Sequence, residues 1–130
     1  DLLRKLPEDE IQVSTTDAQT DAATNAAGFC YTGAGTASWK ACSVKADSSN
    51  TPVICNKGGA TTPAVGTYQT FRIVVNGDGD ADFYINGIWQ ARIDNSITAG
   101  TLMAPNCGQE TGGTARGFDI DYRYVECGRV

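Results

Sequence analysis

Apolar and polar residues alternate most cleanly across 67–75, "TYQTFRIVV". Phe71, Ile73 and Val75 fall on one side and Thr70, Arg72 and Val74 on the other, the period of a β-strand. "NGDGD" then closes a turn, and "ADFYI" predicts a second strand with Phe83 and Ile85 on its inner face. Asn86-Gly87 is the residue pair preferred in a two-residue type I′ hairpin turn. "IWQARI" returns as a third strand, with Trp89, Ala91 and Ile93 alternating against Gln90 and Arg92.

The same texture extends in both directions. Upstream, "GFCYT" and "TPVIC" predict short strands, with Pro52 suited to an edge or a strand start. "SWKACSVKA" sets Trp39, Ala41 and Ser43 against Cys42 and Val44, and "DSSN" predicts the turn after it. "NKGGATTPAVG" reads as a long loop. Downstream, "DNSITAG" reads as a loop, and "GFDIDYRYVEC" predicts a last strand. It carries Phe118, Ile120, Tyr122 and Tyr124 on one face and Asp119, Asp121 and Arg123 on the other. About seven or eight short strands joined by turns give the pattern of an all-β antiparallel sandwich. The first residues differ: "DLLRKLPEDEIQ" reads as a helical turn through Leu2, Leu3 and Leu6, stopped at Pro7, and residues 14–27 as a polar crossing. The domain division is therefore an N-terminal segment, residues 1–25, and a β-sandwich, residues 26–130.

Composition agrees with one domain. The 130 residues suffice for a single core, 41% are hydrophobic and 19% charged, and Gly reaches 15 against 4 Pro. The net charge is -5, with no run of Lys or Arg, so neither nucleic acid nor an anionic membrane is an expected partner. No apolar run approaches the ~20 residues of a membrane span. The chain starts at Asp1, without a signal-peptide pattern, and reads as a processed product or part of a longer chain.

Candidate chemistry is sparse. There is no His, which removes Ser-His-Asp and Cys-His catalysis within this chain. The five Cys (Cys30, Cys42, Cys55, Cys107 and Cys127) form no C-x-x-C pair, so no zinc-site spacing exists. They read either as buried free thiols or as one or two disulfides, with Cys42–Cys55 the favoured bridge because it flanks one loop. Asp78, Asp80 and Asp82 have the spacing of the first calcium-loop ligands, and Ca2+ is the one cofactor they would take. The register then puts Phe83 where Gly is required and Trp89 where a bidentate Glu is required. A solvated Gly/Asp turn is the competing reading. Asp119 and Asp121 are the best carboxylate pair for glycoside hydrolysis, set against an ordinary solvated face neutralised by Arg123. Trp39, Trp89, Tyr68, Tyr84, Tyr122 and Tyr124 are candidates for stacking on sugar rings, and Tyr84, opposite in parity to Phe83 and Ile85, is expected to face outward.

"YQTFRIVVNGDGDADFYINGIWQARI", followed by "ARGFDIDYRYVE", resembles the C-terminal half of concanavalin A-like jelly rolls, the lectin, laminin-G and glucanase superfamily. "AAGFCYTGAGTASWKACSVKA" is similar to the corresponding segment of tailed-phage virion proteins that carry this fold. The resemblance covers roughly Ala26 to Glu126. It implies a jelly-roll sandwich lacking some early strands. It further implies a non-enzymatic structural or decoration module of a virion. The partners it implies are other virion proteins, among them the major capsid protein, and a cell-surface glycan. From the residues themselves, the glycan-binding candidates are Tyr84, Trp89, Asp119 and Asp121. A homo-oligomer located in the virion is expected. The alternatives are an extracellular carbohydrate-binding module and, more remotely, a glycoside hydrolase. The chain departs from the superfamily in two respects. Nothing matches the glucanase E-x-D-x-x-E strand, and the legume-lectin metal residues, which usually include a His, are not recognisable.

Overall fold

The computed structural model describes residues 24–31, 38–59, 61–63 and 66–101. The helical turn expected in residues 1–12, the strand expected in 117–127, and Cys107, Cys127, Asp119, Asp121, Tyr122 and Tyr124 lie outside the described residues. Within them the chain is all-β, with two antiparallel sheets and no helix, consistent with a β-sandwich.

The first sheet is built on β2 (Lys40–Lys45). One edge of β2 pairs with β1 (Asn25–Cys30), and the other pairs with β3 (Ser48–Ser49) and β4 (Val53–Ile54). β1 begins at Asn25, ahead of the expected "GFCYT", because the small residues Asn25 to Gly28 pair in register with Lys45 to Cys42. The turn between β2 and β3 is Ala46-Asp47, both at positive φ (47° and 63°), so it sits earlier than the expected "DSSN".

The second sheet runs β5 (Phe71–Val75), β6 (Ala81–Ile85), β7 (Ile88–Ile93). Asn86 and Gly87 have φ of 51° and 78°, as the type I′ turn requires. Asn86 also ties down the chain before β5: its N–H donates to Thr70 O at 2.8 Å, and its Oδ1 accepts from Thr70 N at 2.9 Å. The acidic turn from Asn76 to Asp80 closes with Gly79 N on Asn76 O (3.0 Å) and Asn76 N on Asp80 O (2.9 Å). Gly79 has φ of 88°, and a Cβ there would collide with the carbonyl oxygen of Ile97. Only glycine lets the 94–101 loop lie this close.

The core lies between the sheets. Ala27, Phe29, Trp39, Ala41 and Cys55 from the first meet Ala81, Phe83, Ile85, Ala91 and Ile93 from the second, with Ile97 beyond it. Phe29 contacts Phe83 edge-on (5.4 Å between centroids) and Phe71 at a tilt (4.9 Å), while Trp39 reaches Phe71 at 4.8 Å. Each such pair adds about 0.5–1.5 kcal/mol to the area it buries. Trp39 Nε1 donates to Gln69 Oε1 at 2.9 Å, so the indole enters the core with its polar atom satisfied. The alternation of 71, 73 and 75 points to this core as expected, but among the described residues β5 is an outer strand of its sheet. Phe71 and Val75 consequently stay 39% exposed.

Of the two readings of the cysteines, free thiols or disulfides, Cys55 follows the first and Cys42 the second, though with a partner other than the Cys55 favoured for it. Cys30 bridges Cys42, with Cα atoms 6.1 Å apart, and Cys55 is a buried free thiol. Side-chain parity explains the correction. Ala41 faces the core with Cys55, so Cys42 points to the opposite face of the sheet, where Cys30 is its diagonal neighbour. Burial pushes the Cys55 thiol up to about 11, against a smaller opposing effect of a hydrogen bond with the Ala41 backbone. Non-reducing peptide mapping is expected to recover Cys30 joined to Cys42. Iodoacetamide at about pH 8 should leave Cys55 unmodified until the protein is unfolded, since little thiolate forms there. A Cys42–Cys55 peptide, or fast labelling of Cys55 in the native protein, contradicts this arrangement.

Candidate functional site

The solvent face of β5, β6 and β7 carries the most structured set of polar and aromatic side chains among the described residues. Strict alternation along β7 would put Trp89 in the core with Ala91 and Ile93. The register shifts instead: Phe83 pairs with Ala91, but Tyr84 pairs with Trp89, leaving Gln90 as an extra residue. This is a β-bulge, which re-aims the side chains on either side of it. Ala91 and Ile93 remain buried, while Trp89 turns outward and is 41% exposed. The expectation that Trp89 follows Ala91 and Ile93 inward is thus corrected. Its place among the glycan candidates does not depend on that parity.

Gln90 is buried, and its amide is fully engaged. Its Oε1 accepts from Lys57 N at 3.0 Å, and its Nε2 donates to Lys57 O at 2.9 Å. The pair of bonds clamps the loop after β4 against β7. Ile88 strengthens the seat by resting on Gly58, where a Cβ would meet its Cδ1 at 2.7 Å. The clamp holds Lys57 above Trp89, with Nζ 3.6 Å from the ring centroid. Arg72 is opposite Tyr84 across the β5–β6 pair, and its guanidinium carbon lies 4.0 Å from the Tyr84 ring centroid. One row therefore runs Arg72, Tyr84, Trp89, Lys57. Tyr84 faces outward, as its parity predicts, and is partly buried. Tyr68 is 72% exposed just before β5, and Trp39 belongs to the core.

The second row is ionic. Arg92 stands opposite Asp82 and donates to three carboxylates: Asp80 Oδ2 at 2.6 Å, Asp94 Oδ1 at 2.9 Å and Asp82 Oδ2 at 3.2 Å. The other oxygen of Asp82 accepts from Trp89 Nε1 at 3.0 Å, which fixes the indole edge. The other oxygen of Asp80 accepts from Asn95 N at 2.8 Å. Two of the three aspartates considered for calcium thus converge on a guanidinium. Among the described residues no three acidic or thiol side chains are grouped as a metal ion would need. Of the four glycan candidates, Tyr84 and Trp89 are brought together, and Asp119 and Asp121 lie outside the described residues.

No protein-family model, no curated protein and no solved structure matches this chain. The functional reading therefore rests on the geometry of this face and on the residue resemblance.

The clamp and the ionic row are each open to measurement. Gln90→Ala removes both bonds to the Lys57 backbone and is expected to cost about 1–3 kcal/mol in chemical denaturation. A change under about 0.5 kcal/mol, the range of an inert surface substitution, would show that the clamp holds nothing. The Asp80 carboxyl is held below its usual range chiefly by the Asn95 N–H, with desolvation opposing and Arg92 and Lys45 adding to the lowering. A depressed folded value stabilises above the unfolded value and is lost as pH falls through the folded one. The loss therefore falls below about pH 4. Asp80→Asn keeps the acceptor for Asn95 and removes the charge. Its melting temperature should drop less than that of the wild type between about pH 4 and pH 2. Parallel curves would discard this assignment.

Proposed function

We propose that this chain is a non-catalytic adhesion module, a concanavalin A-like jelly roll of a tailed-phage virion. In this reading it contacts neighbouring virion proteins and a cell-surface glycan, the latter through the outer face of β5, β6 and β7. The observation that carries the glycan contact is the pairing of Tyr84 with Trp89 on that face, next to the hydrogen-bonding groups of Asp82 and Arg92. Sugar rings present a C–H face that stacks on aromatic rings and hydroxyls that need fixed polar partners. The virion setting is supported by the resemblance of residues 26–46 to a segment of virion proteins of this fold.

A second reading, an extracellular carbohydrate-binding module, is favoured by the Cys30–Cys42 disulfide, since such bonds persist in oxidising surroundings. Virion surfaces meet the same condition, so the two readings share a site and differ in location.

The test has two parts. A glycan array probed with the purified chain should give discrete hits, and Trp89→Ala should weaken them by about tenfold while the far-UV spectrum is unchanged. Stoichiometric recovery of the chain from purified virions supports the phage setting, and recovery from secreted fractions alone rejects it. Hits that survive Trp89→Ala at full strength would move the glycan contact elsewhere.

A further inference from the structure

Three cations stand on the outer face of the second sheet, and they are not equivalent. Arg92 is paired with Asp80, Asp82 and Asp94, so its charge is more than offset by its neighbours. Lys57 and Arg72 have no carboxylate within ion-pair distance among the described residues, and each lies instead over an aromatic ring. Those are the two rings on which the proposed glycan contact depends. A sugar that stacks on Trp89 must therefore displace Lys57 Nζ, and one that stacks on Tyr84 must displace Arg72.

The consequence depends on the charge of the sugar. A neutral sugar takes the ring and leaves the displaced ammonium with only water. An acidic sugar takes the ring and gives the ammonium an anion, replacing a cation–π contact with a charge-assisted hydrogen bond. Lys57 is well set for that exchange. Its backbone is fixed by Gln90 through both N–H and carbonyl, while its side chain ends in solvent above the ring. The head group can swing aside without moving the loop. The aspartates lie in the other row, where Arg92 offsets one of their three charges, so the pull on an acidic group is local to Lys57 and Arg72 at the rings rather than a net positive field of the whole face.

We infer that the outer face of β5, β6 and β7 selects acidic glycans, sugars bearing a carboxylate or a sulfate, with Lys57 and Arg72 as the residues that set the preference. This inference rests on the adhesion reading above and adds the chemical class of the ligand.

The experiment measures affinity of the purified chain for three probes by calorimetry: oligogalacturonate, a sulfated oligosaccharide and a neutral β-glucan oligosaccharide. Each is run at about 50 mM and about 500 mM salt. At least one acidic probe should bind about fivefold or more tighter than the neutral one at low salt, and the advantage should vanish at high salt. Comparing oligogalacturonate with the sulfated probe distinguishes the two anion sources. The exposed substitutions Lys57→Gln and Arg72→Gln together should bring the acidic probe down to the neutral level. The salt series on the wild-type chain decides the same question without any variant. Equal binding of neutral and acidic probes, or an acidic preference untouched by both substitutions, overturns the inference and leaves adhesion standing. Failure of all three probes and of the wider array overturns the adhesion reading itself.

Discussion

Among the described residues the two sheets share no backbone hydrogen-bond ladder, so side chains must hold them face to face. Aromatic contacts cross the gap between them. Phe29 and Trp39 from the first sheet meet Phe71 and Phe83 from the second, with ring centroids 4.8–5.4 Å apart. A fully buried side chain such as Phe83 contributes about 1.5–3 kcal/mol, which makes four interlocked rings a large part of the stability of so small a domain. Apolar contact is non-directional, and polar pins limit sliding. Asn25 Oδ1 accepts from Thr98 N at 2.8 Å, Lys45 Nζ donates to Asn95 Oδ1 at 3.0 Å, and Asn50 Nδ2 reaches Ser43 Oγ at 2.8 Å and Asn95 O at 3.3 Å. These bonds join β1, β2 and the chain after β3 to the loop after β7. The close approach at Gly79 brings that loop within reach.

The parts of this arrangement that follow local rules are legible in the sequence. Alternation along 71–75 and 81–85 gives the correct inner faces, and Asn86-Gly87 gives the turn type, because each depends on residues adjacent in the chain. The inner and outer sets of 39–44 are legible for the same reason. What alternation misses is long-range. The bulge at Gln90 breaks the period of two, and nothing within "IWQARI" announces it. The partner that stabilises the extra residue is Lys57, 33 positions away. A polar Gln between apolar neighbours is the only local trace. The disulfide is missed in a more instructive way. Alternation puts Cys42 on the side opposite Ala41, and that parity already separates it from any cysteine in the core. Loop length suggested Cys55, but the face a cysteine points to outweighs its distance along the chain.

The bulge links the fold to the candidate site. Without it, Trp89 would share the core with Ala91 and Ile93, the Trp89–Asp82 hydrogen bond would not form, and Lys57 would have no ring beneath it. One inserted residue therefore determines where the indole points, and through the side chain of Gln90 it also determines where the ammonium sits. A mutation that restores the plain register would remove both at once. This makes the outer face a feature of backbone register rather than of scattered surface residues. It also separates the face from the exposed apolar positions Val53 and Ile54 of the first sheet, which show no comparable organisation.

The ionic row has a distinct physical role. Cross-strand pairs on an exposed face are individually weak, on the order of 0.2–1 kcal/mol, so Arg92 is not there chiefly to add stability. Its three carboxylates share one cation, and two of them are also oriented: Asp80 by Asn95 N, Asp82 by Trp89 Nε1. The result is a fixed frame along one side of the indole. On the other side, Lys57 and Arg72 are held at their backbones and free at their tips. A ligand therefore meets one rigid edge and one adaptable edge, with the two rings between. In the proposed reading, orientation comes from the hydrogen-bonded ionic row and charge selection from the two cations over the rings. The rings gain their full contact area only when the cations are drawn away from them. In the proposed adhesion reading, that coupling between stacking and charge is what distinguishes these two rings from the same pair without cations over them.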